Sequence, residues 1–247
     1  MNIKVAGAKV KGPNHDVCQD EIIKRKYNKY CIIGVSDGAG SKAKSQYGAR
    51  AALNGVNTYF KRYFDKTDLL IEEDIVKDDI YNSIMSELLK ESNDRDVFLS
   101  ELACTLLFVV ADMNGNYIVC HIGDGGALLL NTSEGRILSY PENGEYKNQT
   151  FFITDDDAYE HLHIEYGNVE GPLNAFLICT DGISDLLFRK EEEDVISSVA
   201  FTMCSWLVKA DASGTAEINA VYEDNLRKHF AAKSQDDLSF CVMVCEK

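Results

Sequence analysis

Four aspartates stand at the ends of apolar runs in this chain. Cys31-Ile32-Ile33-Gly34-Val35-Ser36 leads into Asp37-Gly38, and the run Tyr117 to Ile122 leads into Gly123-Asp124-Gly125. Phe176-Leu177-Ile178-Cys179-Thr180 leads into Asp181-Gly182, whereas the run from Leu238 to Cys245 starts just after Asp236-Asp237. A lone Asp-Gly at a strand end is ordinarily a turn. Four of them, each abutting one of the most apolar runs, point to carboxylates gathered at one rim of a sheet. Three strands leaving into an aspartate and one entering from an aspartate suit antiparallel neighbours. Ligands that are all oxygen suit hard cations such as Mg²⁺ and Mn²⁺. Two such ions close together make a hydrolytic centre.

The elements that must position these aspartates can be read from pattern. Strands are expected at Ile3–Val10, Glu21–Lys26, Tyr30–Asp37, Ala103–Asp112, Tyr117–Ile122, Ala127–Asn131, Ile137–Tyr140, Thr150–Thr154, Ala175–Thr180 and Leu238–Cys245. Met113-Asn114-Gly115-Asn116 separates two of these runs at hairpin distance, and Asn-Gly is a strong hairpin signal. Helices are expected at Ser45–Phe64, Leu69–Glu91, Glu193–Lys209 and Thr215–Ala232. In the second of these Ile80, Ile84 and Leu88 repeat every four residues. Hairpin-linked strands with long helices segregated from them predict an α+β fold. The expected architecture is an antiparallel two-sheet β-sandwich flanked by pairs of α-helices, in four αββα layers. There is no repeat, low-complexity tract or linker, so residues 1–247 read as a single domain.

Composition excludes several function classes. The formal net charge of −15 argues against binding nucleic acid through its phosphates and against docking on an anionic membrane. No apolar run approaches the ~20 residues of a membrane span, and Met1 to Lys11 is too polar for a signal peptide, which predicts a cytoplasmic protein. The eight cysteines contain no Cys-x-x-Cys pair. Cys241 and Cys245 would lie about 13 Å apart on a strand, too far to share a metal. Thiols in strand-like runs read as small core residues.

The order Gln19-Asp20, then Ser36-Asp37-Gly38-Ala39-Gly40-Ser41, then Ala103-Cys104-Thr105, then Ile122-Gly123-Asp124-Gly125-Gly126 resembles the metal-dependent protein phosphatase type 2C family. So do the blocks Cys179-Thr180-Asp181-Gly182-Ile183-Ser184-Asp185 and Gln235-Asp236-Asp237-Leu238-Ser239. The likeness is closest to the compact bacterial branch and runs from Ala6 to Val244. It implies a serine/threonine protein phosphatase using Mn²⁺ or Mg²⁺, two ions with a weaker third, that hydrolyses phosphoserine and phosphothreonine with metal-activated water. By the same resemblance Asp37 bridges both metals, the Gly38 carbonyl binds one, and Asp181 and Asp236 complete one shell. Asp20 contacts the other ion mainly through water, and Asp124 with Asp181 holds the third. A phosphorylated protein, the product of a serine/threonine kinase, is the implied partner, and the chain is expected to act as a monomer.

The sequence departs from the family in places. Where many members have a phosphate-gripping arginine four residues ahead of the acidic pair, this chain has His15. Where animal members have a histidine after the first Asp-Gly, it has Ala39. His15 is therefore the candidate for general acid or phosphate clamp, since a near-neutral pKa suits proton delivery. Gln19 stands in for the usual glutamate, and Asp237 for a frequent asparagine. A catalytically weak or inactive phosphatase-fold binding module is the alternative, and Asp37, Asp181 and Asp236, whose loss would signal it, are all present. A hydrolase of small phosphoesters is a third reading.

Overall fold

The computed structural model describes residues 1–66, 73–132, 134–142, 150–189, 195–210 and 215–247. One antiparallel sheet contains β2 (Glu21–Lys26), β3 (Tyr30–Ser36), β4 (Leu106–Asp112), β5 (Asn116–Ile122) and β8 (His163–Asn168), in that spatial order. The other contains β1 (Asn2–Val10), β6 (Gly126–Leu130), β7 (Gly135–Ser139), β9 (Leu173–Cys179) and β12 (Leu238–Glu246), in the spatial order β1-β12-β9-β6-β7. The family's expected αββα sandwich is what these sheets build, with helices on each outer face.

The near-continuous apolar runs follow from sheets buried on both faces. In β4, Leu107, Val109 and Ala111 point between the sheets, whereas Leu106, Phe108 and Val110 face α1 (Ser45–Tyr63) and α2 (Glu73–Arg95). In β12, Cys241, Met243 and Cys245 fill the inter-sheet layer, whereas Phe240, Val242 and Val244 face α5 (Ser198–Lys209) and α6 (Thr215–Asn225). Three stacked apolar layers result. All eight cysteines are free, seven of them buried as small apolar residues. No helix among the described residues is long and apolar enough to cross a membrane.

Several boundaries differ from the sequence expectation. The expected strand Thr150–Thr154 is a turn: Phe152 N–H donates to the Asp155 carboxylate at 2.8 Å, and Ile153 plugs the helix-side core with no surface exposed. The expected helix at Glu193–Lys209 begins only at Ser198, capped by the Ser197 hydroxyl, which accepts from Val199 N–H. Ahead of it, β11 (Val195–Ile196) pairs with β10 (Phe188–Arg189), and residues 193–194 lie outside the described residues. The helix expected from Leu69 is seen from Glu73 and runs on to Arg95; 69–72 are likewise outside the description. The last expected helix loses α-geometry after Asn225 and continues as a π-turn, Leu226–Phe230. Elements not foreseen include α3 (Ala158–His161), β8, the β10–β11 pair, and α4 (Asp181–Leu187), which starts on a candidate ligand.

Candidate metal centre

Strand register brings the aspartates to one rim. Glu21 pairs with Ser36 across β2 and β3, so Asp20 and Asp37, the next residues outward, lie side by side. β5 is antiparallel to β4, which is antiparallel to β3, so β5 leaves the sandwich at the same end and delivers Asp124 there. In the second sheet Cys179 pairs with Phe240, which puts the exit of β9 at Asp181 beside the entry of β12 from Asp236. Two glycines make the crowding feasible. A side chain on Gly182 would overlap the Asp237 carbonyl oxygen, and Gly123 sits at φ +119° with the Thr105 methyl 2.5 Å from where a Cβ would be.

Asp37, Asp124 and Asp181 each offer a carboxylate oxygen, and these atoms all lie within 4.8 Å of one another. Asp20, with 1% of its surface exposed, shares a side-chain hydrogen bond with Asp37 and accepts another from the Thr180 hydroxyl at 2.9 Å. Burial pushes the Asp20 carboxyl up to about 6 against the hydrogen bonds from Asp37, Ser239 and Thr180. Burial, then the charges of Asp124, Asp236 and Asp20, pushes Asp181 up to about 8. Asp37 is raised well above the ordinary carboxylate range by burial, then by Asp20 and Asp181. Burial raises Asp124 as well, with the Thr150 hydroxyl bond to its Oδ2 working the other way.

The donor set fits a hard cation. Two carboxylates in hydrogen-bonding contact need a proton or a cation between them, and Asp124 Oδ1 is buried with no hydrogen-bond partner among the described residues. A divalent ion among them would satisfy that oxygen and remove the mutual repulsion together.

The other site residues named from the sequence lie around this cluster. Gly38 is buried next to Asp37 and pairs as an isolated bridge with Cys104. Asp236 is on the rim, grouped with His15 and Asp237 instead of with the three central aspartates. Its charge is nevertheless felt at Asp37, Asp124 and Asp181. His15 Nδ1 lies 3.0 Å from Asp237 Oδ2, though not aligned on it as a hydrogen bond, and Nε2 lies 3.9 Å from Asp236 Oδ1. His15, Asp181, Gly182, Lys233, Gln235 and Asp236 share a cavity of about 570 Å³.

Sequence reading missed the groups that hold the aspartates. Thr180 precedes Asp181 and could have been suspected from that; Thr150, donor to Asp124, carried no signal. Asp237 accepts the backbone N–H groups of Gly12 and Gln19, each at 2.6 Å, and ties the segment 12–19 to the start of β12. Gln19 is only 8% exposed and points away from the aspartates: its amide donates to the Ser45 hydroxyl at 2.7 Å and to the Lys42 carbonyl at 3.0 Å.

Stacked antiparallel sheets with an oxygen-only acidic cluster on one rim define a metal-binding αββα sandwich. The chain belongs to the protein phosphatase 2C family, whose profile matches residues 12–222. It is 31% identical over 176 residues to serine/threonine-protein phosphatase 3 of Escherichia coli K12, covering 70% of this chain and 68% of that protein. Its fold is similar to the catalytic domain of the serine/threonine phosphatase PstP in complex with two manganese ions, with TM-score 0.60 and 13% identity over 99% of each chain. It is also similar to RsbX in complex with magnesium, with TM-score 0.57 and 15% identity over 98% of this chain and 94% of that one.

Proposed function

We propose that this chain hydrolyses phosphoserine and phosphothreonine monoesters on proteins at a centre for two Mn²⁺ or Mg²⁺ ions, with a weaker third. The observation that carries this reading is the convergence of Asp37, Asp124 and Asp181 within 4.8 Å, with Asp20 hydrogen-bonded to Asp37. Asp37, in contact with Asp20 and raised by the charge of Asp181, is the residue assigned to both ions. Asp181, Asp236 and the Gly38 carbonyl would hold one ion, Asp20 would serve the other, and Asp124 with Asp181 would hold the third. When bound, such ions lower the pKa of water towards neutrality and neutralise the charge of the phosphoryl group.

The chain's own groups supply the rest. Thr180 and Thr150 hold Asp20 and Asp124 in place by donating to them, and acceptor-only ligands are best fixed that way. His15 is the proton donor to the departing serine or threonine oxygen. Its ring lines the cavity beside Asp181, with Nδ1 3.0 Å from Asp237 Oδ2. The eight free cysteines suit a reducing compartment. The same reading makes residues 1–247 one catalytic domain, acting as a cytoplasmic monomer on the product of a serine/threonine kinase.

The experiment is release of phosphate from phosphoserine, phosphothreonine and phosphotyrosine peptides by the purified chain with Mn²⁺. Turnover of the first two well above the third is the expected result. Manganese binding without turnover of any peptide would leave a binding module instead.

A further inference from the structure

A second cavity, of about 380 Å³, opens beside the acidic one over the outer face of β12. Its walls come from α5, α6 and the π-turn, and are apolar: Val199, Met203, Trp206, Tyr222, Leu226 and Phe230, with Phe240 beneath. The two cavities share Leu186 and Lys233 as a common wall. Among the described residues, Lys233 is the one lysine or arginine lining the acidic cavity. The wall is built by α4, which begins at Asp181 and carries Leu186 on the same short helix. Five residues of helix rise about 7.5 Å, the span of two to three residues of extended peptide. A volume of this size lined by aromatic and thioether side chains, with a polar rim from Asn225, His229 and Lys233, has the make-up of a ligand subsite.

We propose that this cavity is a specificity subsite that takes a large apolar side chain, such as leucine or phenylalanine, two to three residues from the phosphorylated residue of a peptide substrate. The inference rests on the phosphoprotein reading above. Continuity with the acidic cavity selects this occupant, because a chain whose phosphate lies among His15, Asp181 and Lys233 passes over Leu186 within that reach. The apolar side chain is withdrawn from water against Trp206, Met203 and Leu226, and Lys233 at the junction faces the anionic phosphate.

The test uses phosphoserine peptides of one sequence, carrying leucine, phenylalanine or aspartate at each position from three before to three after the phosphoserine. The full chain with Mn²⁺ hydrolyses them alongside p-nitrophenyl phosphate, which is too small to reach the cavity. Val199→Trp fills the cavity from its exposed rim, and Thr202→Glu places a charge on its wall. The expected result is a kcat/KM about tenfold or more higher for an apolar residue at one position two or three from the phosphoserine. That preference is lost in both variants, while p-nitrophenyl phosphate turnover stays within about twofold of wild type. Equal rates for apolar and acidic peptides at every position, or a preference that survives both variants, overturn the subsite. Absence of p-nitrophenyl phosphate hydrolysis by wild type contradicts the phosphatase reading instead. Fluorescence anisotropy of the same labelled peptides then reads the subsite directly, and equal binding of apolar and acidic peptides overturns it there too.

Discussion

Asp181 is half-buried and feels three neighbouring carboxylates: burial, then Asp124, Asp236 and Asp20, raise it to about 8. A carboxyl raised in the folded state binds its proton more tightly there than in the unfolded chain. Without metal its ionisation therefore costs stability as pH rises from the ordinary carboxylate range through about 8. Asp181→Asn removes that charge, so the metal-free variant should melt a few degrees higher at pH 8, at roughly 2–4 °C per kcal/mol for a chain of this size. The same change should remove turnover. Asp37→Asn should cost more than tenfold in rate, because a smaller loss, under about 1.4 kcal/mol, is too little for a residue assigned to both ions. Melting curves with chelator and initial rates with Mn²⁺ check the pair. For His15, the discriminating change is His15→Ala assayed on phosphoserine and on p-nitrophenyl phosphate. Loss of a proton donor should lower kcat for phosphoserine at least tenfold more than for p-nitrophenolate, which leaves without a proton. A KM rise shared by both substrates would make His15 a clamp instead.

Among the elements, the segment 12–19 depends on a tie that sequence pattern does not show. The buried Asp237 carboxylate takes the Gly12 and Gln19 N–H groups, and Gln19 in turn fastens to Ser45 at the start of α1. Asp237→Ala strands two buried donors and should cost about 2–6 kcal/mol by urea unfolding. Asp237→Asn, which keeps one acceptor oxygen, should cost about half as much. The aspartates were legible because each ends a run with a fixed strand direction, so antiparallel register alone carries them to one rim. The long helices were legible through Ile80, Ile84 and Leu88 on one face. The strand expected at Thr150–Thr154 was not, because Ile153 is apolar for a plug and Asp155 captures the backbone of the turn. β8 escaped because His163-Ile164-Glu165-Tyr166 has a polar edge face and reads as surface. The short α4 was hidden inside a motif whose residues look like a turn.

For the molecule as a whole, the central strands of each sheet are buried on both faces, which leaves few places for polar groups, and His121 occupies one. It is 2% exposed between the sheets, with Nδ1 2.7 Å from the Ser139 hydroxyl and no hydrogen-bond partner at Nε2 among the described residues. Burial, and then the neighbouring His163, holds its pKa down to about 3. The folded state therefore refuses a proton that the unfolded chain takes below about 6.5. Stability linked to His121 is intact above that pH and is lost as pH falls towards about 3. Melting temperature against pH should fall less steeply over this window in His121→Gln. The central claim, that the acidic rim works through divalent ions, meets its most direct test in p-nitrophenyl phosphate hydrolysis by the full chain. The rate is followed as Mn²⁺ is added, then removed by excess chelator, then restored. Hydrolysis that rises with Mn²⁺, falls to background with chelator and returns on re-addition is the predicted result; a rate undiminished in excess chelator contradicts it.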